Sequence, residues 1–178
     1  MKKYDLIIGG AYLLDNFNAS DERGSFIKAY NTEEMKELGL KCDFKESFYS
    51  ISRKDTIRGM HFQFPPYDHV KMTHLIHGRA IDVILDLRKD SPTYKKYVEI
   101  EMQDSKKQAV YIPQGCAHGF RALEDTTIMI YYVTSVHEQS SDSGILYNSF
   151  GFDWKCDNPI MSNRDKQFCI LNEFESPF

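Results

Sequence analysis

The feature that most constrains this chain is a two-residue period that recurs through its second half. In RAIDVILDLR (79–88), Ile81, Val83, Leu85 and Leu87 fall on one side, and Asp82, Ile84, Asp86 and Arg88 on the other. Successive side chains of a strand point to opposite faces, so this order predicts a strand. YVEIEM (97–102) sets Val98, Ile100 and Met102 against Tyr97, Glu99 and Glu101. TTIMIYYVTS (126–135) sets Ile128, Ile130 and Tyr132 against Met129, Tyr131 and Val133. Turn signals separate the runs: His77-Gly78, Asp90-Ser91-Pro92, Pro113-Gln114-Gly115 and Glu124-Asp125. One early helix is signalled by NTEEMKELGL (31–40), with Asn31 as N-cap, Glu34 three residues later and Gly39 as its stop. Many short strands and one early helix predict an all-β fold, a jelly-roll β-barrel with terminal extensions and one or a few short helices.

The 178 residues fit a single domain, 1–178, with arms. Tyr and Phe number 11 and 12, which suits a sheet-rich core. A net charge of −4 gives no electrostatic reason to expect duplex nucleic acid as a partner. Cys42, Cys116, Cys156 and Cys169 are widely spaced, without a CxxC, and read as free thiols in a reducing compartment. The start, MKKYDLIIGGAYLLDNF, has a faint signal-peptide look, but Asp5 interrupts it and no small-x-small site follows. A hairpin turning at Gly9-Gly10 is the better reading, no run approaches a membrane span, and a cytoplasmic protein is expected. The tail after Asp153 carries Pro159, Pro177 and a candidate short helix near SNRDKQF (162–168).

IRGMHFQ (57–63) raises the chemical question, because it sets Arg58 and His61 close together on a strand. Metal binding, proton transfer and plain core packing are the three readings. A metal site on strands usually shows a second ligand at spacing two or four; His61 has Gln63 there, and His74 and His77 would point to opposite faces. The acid/base reading brings Arg58 and Lys71 to His61. A cation beside a carbonyl steadies a developing enolate, and an imidazole titrates near neutrality. A lone strand histidine is nonetheless more often a hydrogen-bonded structural residue, so the residues by themselves give a β-barrel domain with a candidate enzyme site.

Five segments then carry a resemblance. DERGSFIKAY (21–30), IRGMHFQ (57–63), KMTHLIHGRAIDVILDLR (71–88), YIPQGCAHGFRALED (111–125) and MSNRDKQF (161–168) occur in order. Together they resemble the dTDP-4-dehydrorhamnose 3,5-epimerase family of cupins. The resemblance implies His61 as catalytic base with Asp165 as its carboxylate partner, and Tyr131 as the acid on the other side of the sugar. Lys71 and Arg58 match cations near the keto oxygen and phosphates, and His118 with Asp82 matches a second His–carboxylate pair. Gln63 and Arg164 complete the residues expected at the substrate. Arg23 and Phe26 match a segment that reaches the nucleotide from the neighbouring subunit, so a homodimer with exchanged arms is expected. Alternation leaves open whether Tyr131 or Tyr132 faces inward. No metal and no cofactor is implied, since an imidazole and a phenol suffice to invert a centre α to a ketone.

Three departures from the family pattern bear on the substrate. Lys28 stands where an acidic residue contacting thymine is usual. Glu46 and Phe48 replace a Gln and an Asn, and His137 replaces a second tyrosine near the sugar. A lysine donor suits a guanine carbonyl, so a GDP-linked sugar is favoured over a dTDP-linked one. Inversion at C3, C5 or both stays open. The expected function is a cofactor-independent epimerase of a nucleotide-linked 4-keto-6-deoxy sugar, serving bacterial surface polysaccharide synthesis. The alternatives are a ketoisomerase on the same barrel and a non-catalytic sugar-nucleotide-binding cupin.

Overall fold

The computed structural model describes residues 1–178. Its strands are β1 (Lys2–Asp5), β2 (Tyr12–Asp15), β3 (Phe17–Asp21), β4 (Gly24–Lys28), β5 (Glu46–Ser52), β6 (Ile57–Gln63), β7 (Lys71–His77), β8 (Arg79–Asp86), β9 (Tyr97–Gln103), β10 (Gln108–Ile112), β11 (Cys116–Ala122), β12 (Thr127–Val133) and β13 (Asp142–Gly144). The helix α1 (Thr32–Glu37) follows β4. Asn31 caps it by accepting from the backbone N–H groups of Glu33 and Glu34, and Gly39 follows its end at φ +70°. Both helix signals therefore hold. The hairpin at Gly9-Gly10 also forms, joining β1 to β2.

The strands make two antiparallel sheets, ordered β1-β2-β10-β7-β12-β5 and β13-β6-β11-β8-β9, while β3 and β4 form a separate ribbon. Hydrogen bonding does not run continuously around the molecule, so the jelly roll is a sandwich of two sheets and not a ring. Leu75, Val110, Ile112 and Met129 of the six-stranded sheet meet Ala80, Ile84, Ile100, Met102 and Phe120 of the five-stranded one in a shared core. On β12 the inward residues are Met129, Tyr131 and Val133; Tyr132 packs outside with Tyr30, Phe44 and Met72. That settles which tyrosine faces the interior.

The apolar side of β8 points away from the sandwich. Val83, Leu85 and Leu87 pack under the tail against Phe150, Phe152, Trp154 and Leu171. Asp82 and Ile84 face the other sheet. The tail is fixed at its far end by Ser176 Oγ, which donates to the Leu87 carbonyl. Its signalled helix is a single 3-10 turn, Asp165–Gln167. All four cysteines are free. No helix is long and apolar enough to cross a membrane.

Candidate active site

The sandwich opens at one end into a cavity of about 430 Å³. Its walls come from both sheets. β6 and β11 supply Arg58, His61, Gln63 and His118, while β5, β7 and β12 supply Glu46, Phe48, Ser50, Lys71 and Tyr131. Arg58 and His61 are three apart, which strict alternation would send to opposite faces. They share the inner face because the β6–β11 register slips between them, at Gly59. Gly59 has φ +131°, and a Cβ there would lie 2.5 Å from the Cα of Gly119. Only glycine permits this close approach.

His61 is oriented from the tail. Its Nε2 lies 3.0 Å from Asp165 Oδ2, and the same oxygen accepts the Gly59 N–H at 3.1 Å. Asp165 is buried, yet its pKa is lowered because hydrogen bonds from His61, Gly59 and Ser162 outweigh the cost of burial. The ionised carboxylate holds the proton on Nε2 and leaves Nδ1 as the unprotonated nitrogen. Burial lowers the His61 pKa, with Asp165 opposing, so the ring is neutral at pH 7. Arg164 reaches Asp165 Oδ1 at 3.4 Å and also pairs with Asp142, whose carboxylate stands 3.6 Å from His137 Nε2.

Tyr131 stands on the opposite sheet. Its ring stacks on Phe48 at 4.8 Å and its hydroxyl is 3.4 Å from Ser50 Oγ. Burial pushes its phenol well above the usual range, so it stays protonated. Beside it, His118 Nε2 is 2.8 Å from Asp82 Oδ2, both groups being buried. Lys71 is buried too, with its pKa lowered to about 8 by burial and held up by Asp82 and Asp142. Arg58 donates from Nε to Ser52 Oγ at 3.1 Å. No group of three or more His, Cys, Asp or Glu side chains is placed to hold a metal ion.

The fold thus brings Glu46, Arg58, His61, Gln63, Lys71, His118, Tyr131, His137 and Arg164 to one cavity, with Asp165 and Asp82 behind their histidines. One placement differs from the sequence reading, that of Gln63. The Gln63 amide is taken up by protein partners, donating to the Tyr67 carbonyl at 2.9 Å and accepting the Glu138 N–H at 2.7 Å, so it anchors the loop carrying His137. Arg23, Phe26 and Lys28 stand on the β3–β4 ribbon and do not line the cavity of their own chain. Arg23 pairs with Asp21, and the Lys28 ammonium lies 5.6 Å from the Phe17 ring. Ser50, His69, Ser135 and Asp142 also line the cavity. Nothing local in the sequence marks them, because the contacts that place them are long-range.

A family model described as dTDP-4-dehydrorhamnose 3,5-epimerase matches residues 5–173. The dTDP-4-dehydrorhamnose 3,5-epimerase of Shigella flexneri is 34% identical over 148 residues, covering 82% of each chain. That of Methanothermobacter thermautotrophicus is 34% identical over 171 residues, covering 93% of this chain and 92% of its own. The crystal structure of the Bacillus anthracis enzyme with TDP and PPi bound superposes with a TM-score of 0.93 at 34% identity, covering 96% of this chain and 99% of its own. The Legionella pneumophila enzyme in complex with dTDP-4-keto-L-rhamnose gives a TM-score of 0.93 at 26% identity, covering 98% and 94%. With two sheets, two histidine–carboxylate pairs and a buried phenol around one hollow, the chain belongs to the dTDP-4-dehydrorhamnose 3,5-epimerase family and is an epimerase.

Proposed function

We propose that this protein inverts carbons α to the ketone of a nucleotide-linked 4-keto-6-deoxy sugar, by proton transfer between His61 and Tyr131. The observation that carries the reading is their placement on opposite sheets across one cavity. A 4-keto group acidifies the hydrogens on C3 and C5. His61 Nδ1 takes such a proton from one face; the electron pair moves onto the carbonyl oxygen, giving an enolate. Lys71 and Arg58 supply positive charge to that oxygen. The Tyr131 hydroxyl then protonates the same carbon from the other face, and the ketone re-forms. A carbon acid beside a ketone is much weaker than a phenol, so donation runs downhill even with the Tyr131 pKa raised. No electron acceptor enters the balance.

The nucleotide in this reading is dTDP, supported by the TDP and dTDP-sugar bound in the two structures above. A GDP-linked sugar is the second reading, favoured by Lys28 in place of an acidic residue. Partner arms complete the nucleotide end. Phe26 is 64% exposed and Phe17 50%, and no main strand of their own chain covers them. The free edge strand β5 presents Tyr49 and Ile51 outward as well, which suits a homodimer. The product would feed a surface polysaccharide.

Incubation with dTDP- and GDP-linked 4-keto-6-deoxyglucose in heavy water tests the reading. Two deuterons per sugar, at C3 and C5, are expected with the dTDP substrate. One deuteron would restrict the enzyme to a single centre, turnover of the GDP sugar alone would favour the second reading, and none with either would overturn the proposal.

A further inference from the structure

Beside the proton-transfer pair lies a histidine that the mechanism leaves unused. His69, two residues before β7, lines the main cavity and also a small recess shared with His61, Gln63 and Lys71. Its Nδ1 lies 3.1 Å from Ser135 Oγ and 3.3 Å from Gln63 Nε2, while its Nε2 has no protein partner. The proton inventory around the ring fixes its tautomer. Ser135 Oγ carries one proton and donates it to the Tyr67 carbonyl at 2.6 Å. Gln63 Nε2 carries two, for which the carbonyls of Tyr67 and Val136 and the hydroxyl oxygen of Ser135 are acceptors at 2.9, 3.2 and 3.2 Å. The contact between His69 and Ser135 is then a hydrogen bond only if the proton sits on Nδ1. Nε2 is left with a lone pair on a residue that lines the cavity. Burial, with Lys71 and His137 nearby, lowers the His69 pKa to about 3, so the ring stays neutral.

A site that accepts and never donates selects for a hydroxyl. On a 4-keto-6-deoxy sugar linked through C1, only the C2 and C3 hydroxyls remain. The C3 hydroxyl changes face when its carbon is inverted, whereas C2 is untouched by the reaction. A rigidly held acceptor serves the hydroxyl that stays in place. We propose that His69 Nε2 accepts a hydrogen bond from the C2 hydroxyl of the sugar and is a specificity-determining residue of this epimerase. The inference rests on the sugar occupying the cavity as set out above.

The test crosses two enzyme variants with two substrates, the dTDP-linked 4-keto-6-deoxy sugar and its 2-deoxy analogue, following solvent deuterium exchange. His69→Asn keeps a donor where Nδ1 sits and removes the acceptor at Nε2. It should raise KM for the parent sugar about tenfold, the worth of one buried hydrogen bond. With the 2-deoxy sugar it should change KM by less than about twofold, because the partner hydroxyl is already gone. His69→Gln restores an amide oxygen near the Nε2 position and should recover most of the loss with the parent sugar, which also guards against a folding defect in the first variant. Equal losses with both substrates in His69→Asn, or a His69→Gln variant impaired where His69→Asn is not, would overturn the assignment and leave His69 only as a support for Ser135. Absence of exchange by the unaltered enzyme would instead sink the underlying reaction.

Discussion

At the scale of single residues, the site works by setting proton affinities apart. His61 must be neutral to act as base, and it is neutral above its own lowered pKa. Activity is therefore expected to hold below pH 6.5 and to fall only as pH drops through that lowered value, which kcat/KM against pH would read. Asp165 raises the His61 pKa, so Asp165→Asn should move the acid limb to still lower pH. The same change frees the ring to adopt the wrong tautomer, and kcat should drop by about a hundredfold. An acid limb that moves upward in this variant would contradict the pairing. Lys71 sets the other side of the profile. It carries its charge below about pH 8, so kcat/KM should decline as pH rises through that value. Lys71→Arg keeps a cation at every working pH and should remove the basic limb, whatever it does to the plateau.

At the scale of elements, the crossing of β6 and β11 determines whether the site assembles. Gly59 lets the strands approach, carries the register slip that turns Arg58 and His61 to one face, and gives its N–H to Asp165. Gly59→Ala would place a methyl 2.5 Å from Gly119 Cα and 2.9 Å from the His118 carbonyl, with φ at +131°. We expect a loss of at least about 2 kcal/mol. A thermal midpoint lowered by roughly 4–8 °C would register it. Little of this was visible beforehand. The two-residue period identified β8, β9 and β12, and the Asn31 cap and Gly39 stop marked α1. The period could not say which face of β8 turns inward, because Val83 and Leu85 are as buried beneath the tail as Ile84 is between the sheets. Apolar content alone would have chosen the wrong side. No local pattern marks Ser50, His69 or Asp142 as cavity residues, for a related reason: the Ser50–Tyr131 contact spans 81 residues and the His69–Ser135 contact spans 66. The segment IRGMHFQ singles out His61 and the acid/base reading adds Lys71, but Tyr131 and Asp165 are legible only through the family resemblance, since no local pattern joins residue 61 to residue 165.

At the scale of the whole molecule, two surfaces of the chain look outward for a partner. Tyr49 and Ile51 on β5 are 67% and 56% exposed, an apolar strip on an open sheet edge. Sedimentation should give a particle of twice the 20.8 kDa chain mass. A Tyr49→Arg/Ile51→Glu double substitution should yield the monomer, with weakened binding of dTDP if the partner's ribbon helps to hold it. A monomeric unaltered protein with full activity would remove the arm from the site.

The tail has a consequence for the order in which this enzyme matures. It both shields the outside of the five-stranded sheet and delivers Asp165 to His61. A chain whose sandwich has formed, but whose final segment is still loose, would hold a shaped hollow around an unsteered imidazole. Trp154, the only tryptophan, is buried in that segment and signals its docking. During refolding, recovery of turnover should keep time with the change in its fluorescence and not with the earlier gain of strand signal. Turnover then depends on the docked tail as well as on the sandwich, because the carboxylate that steers His61 belongs to the tail.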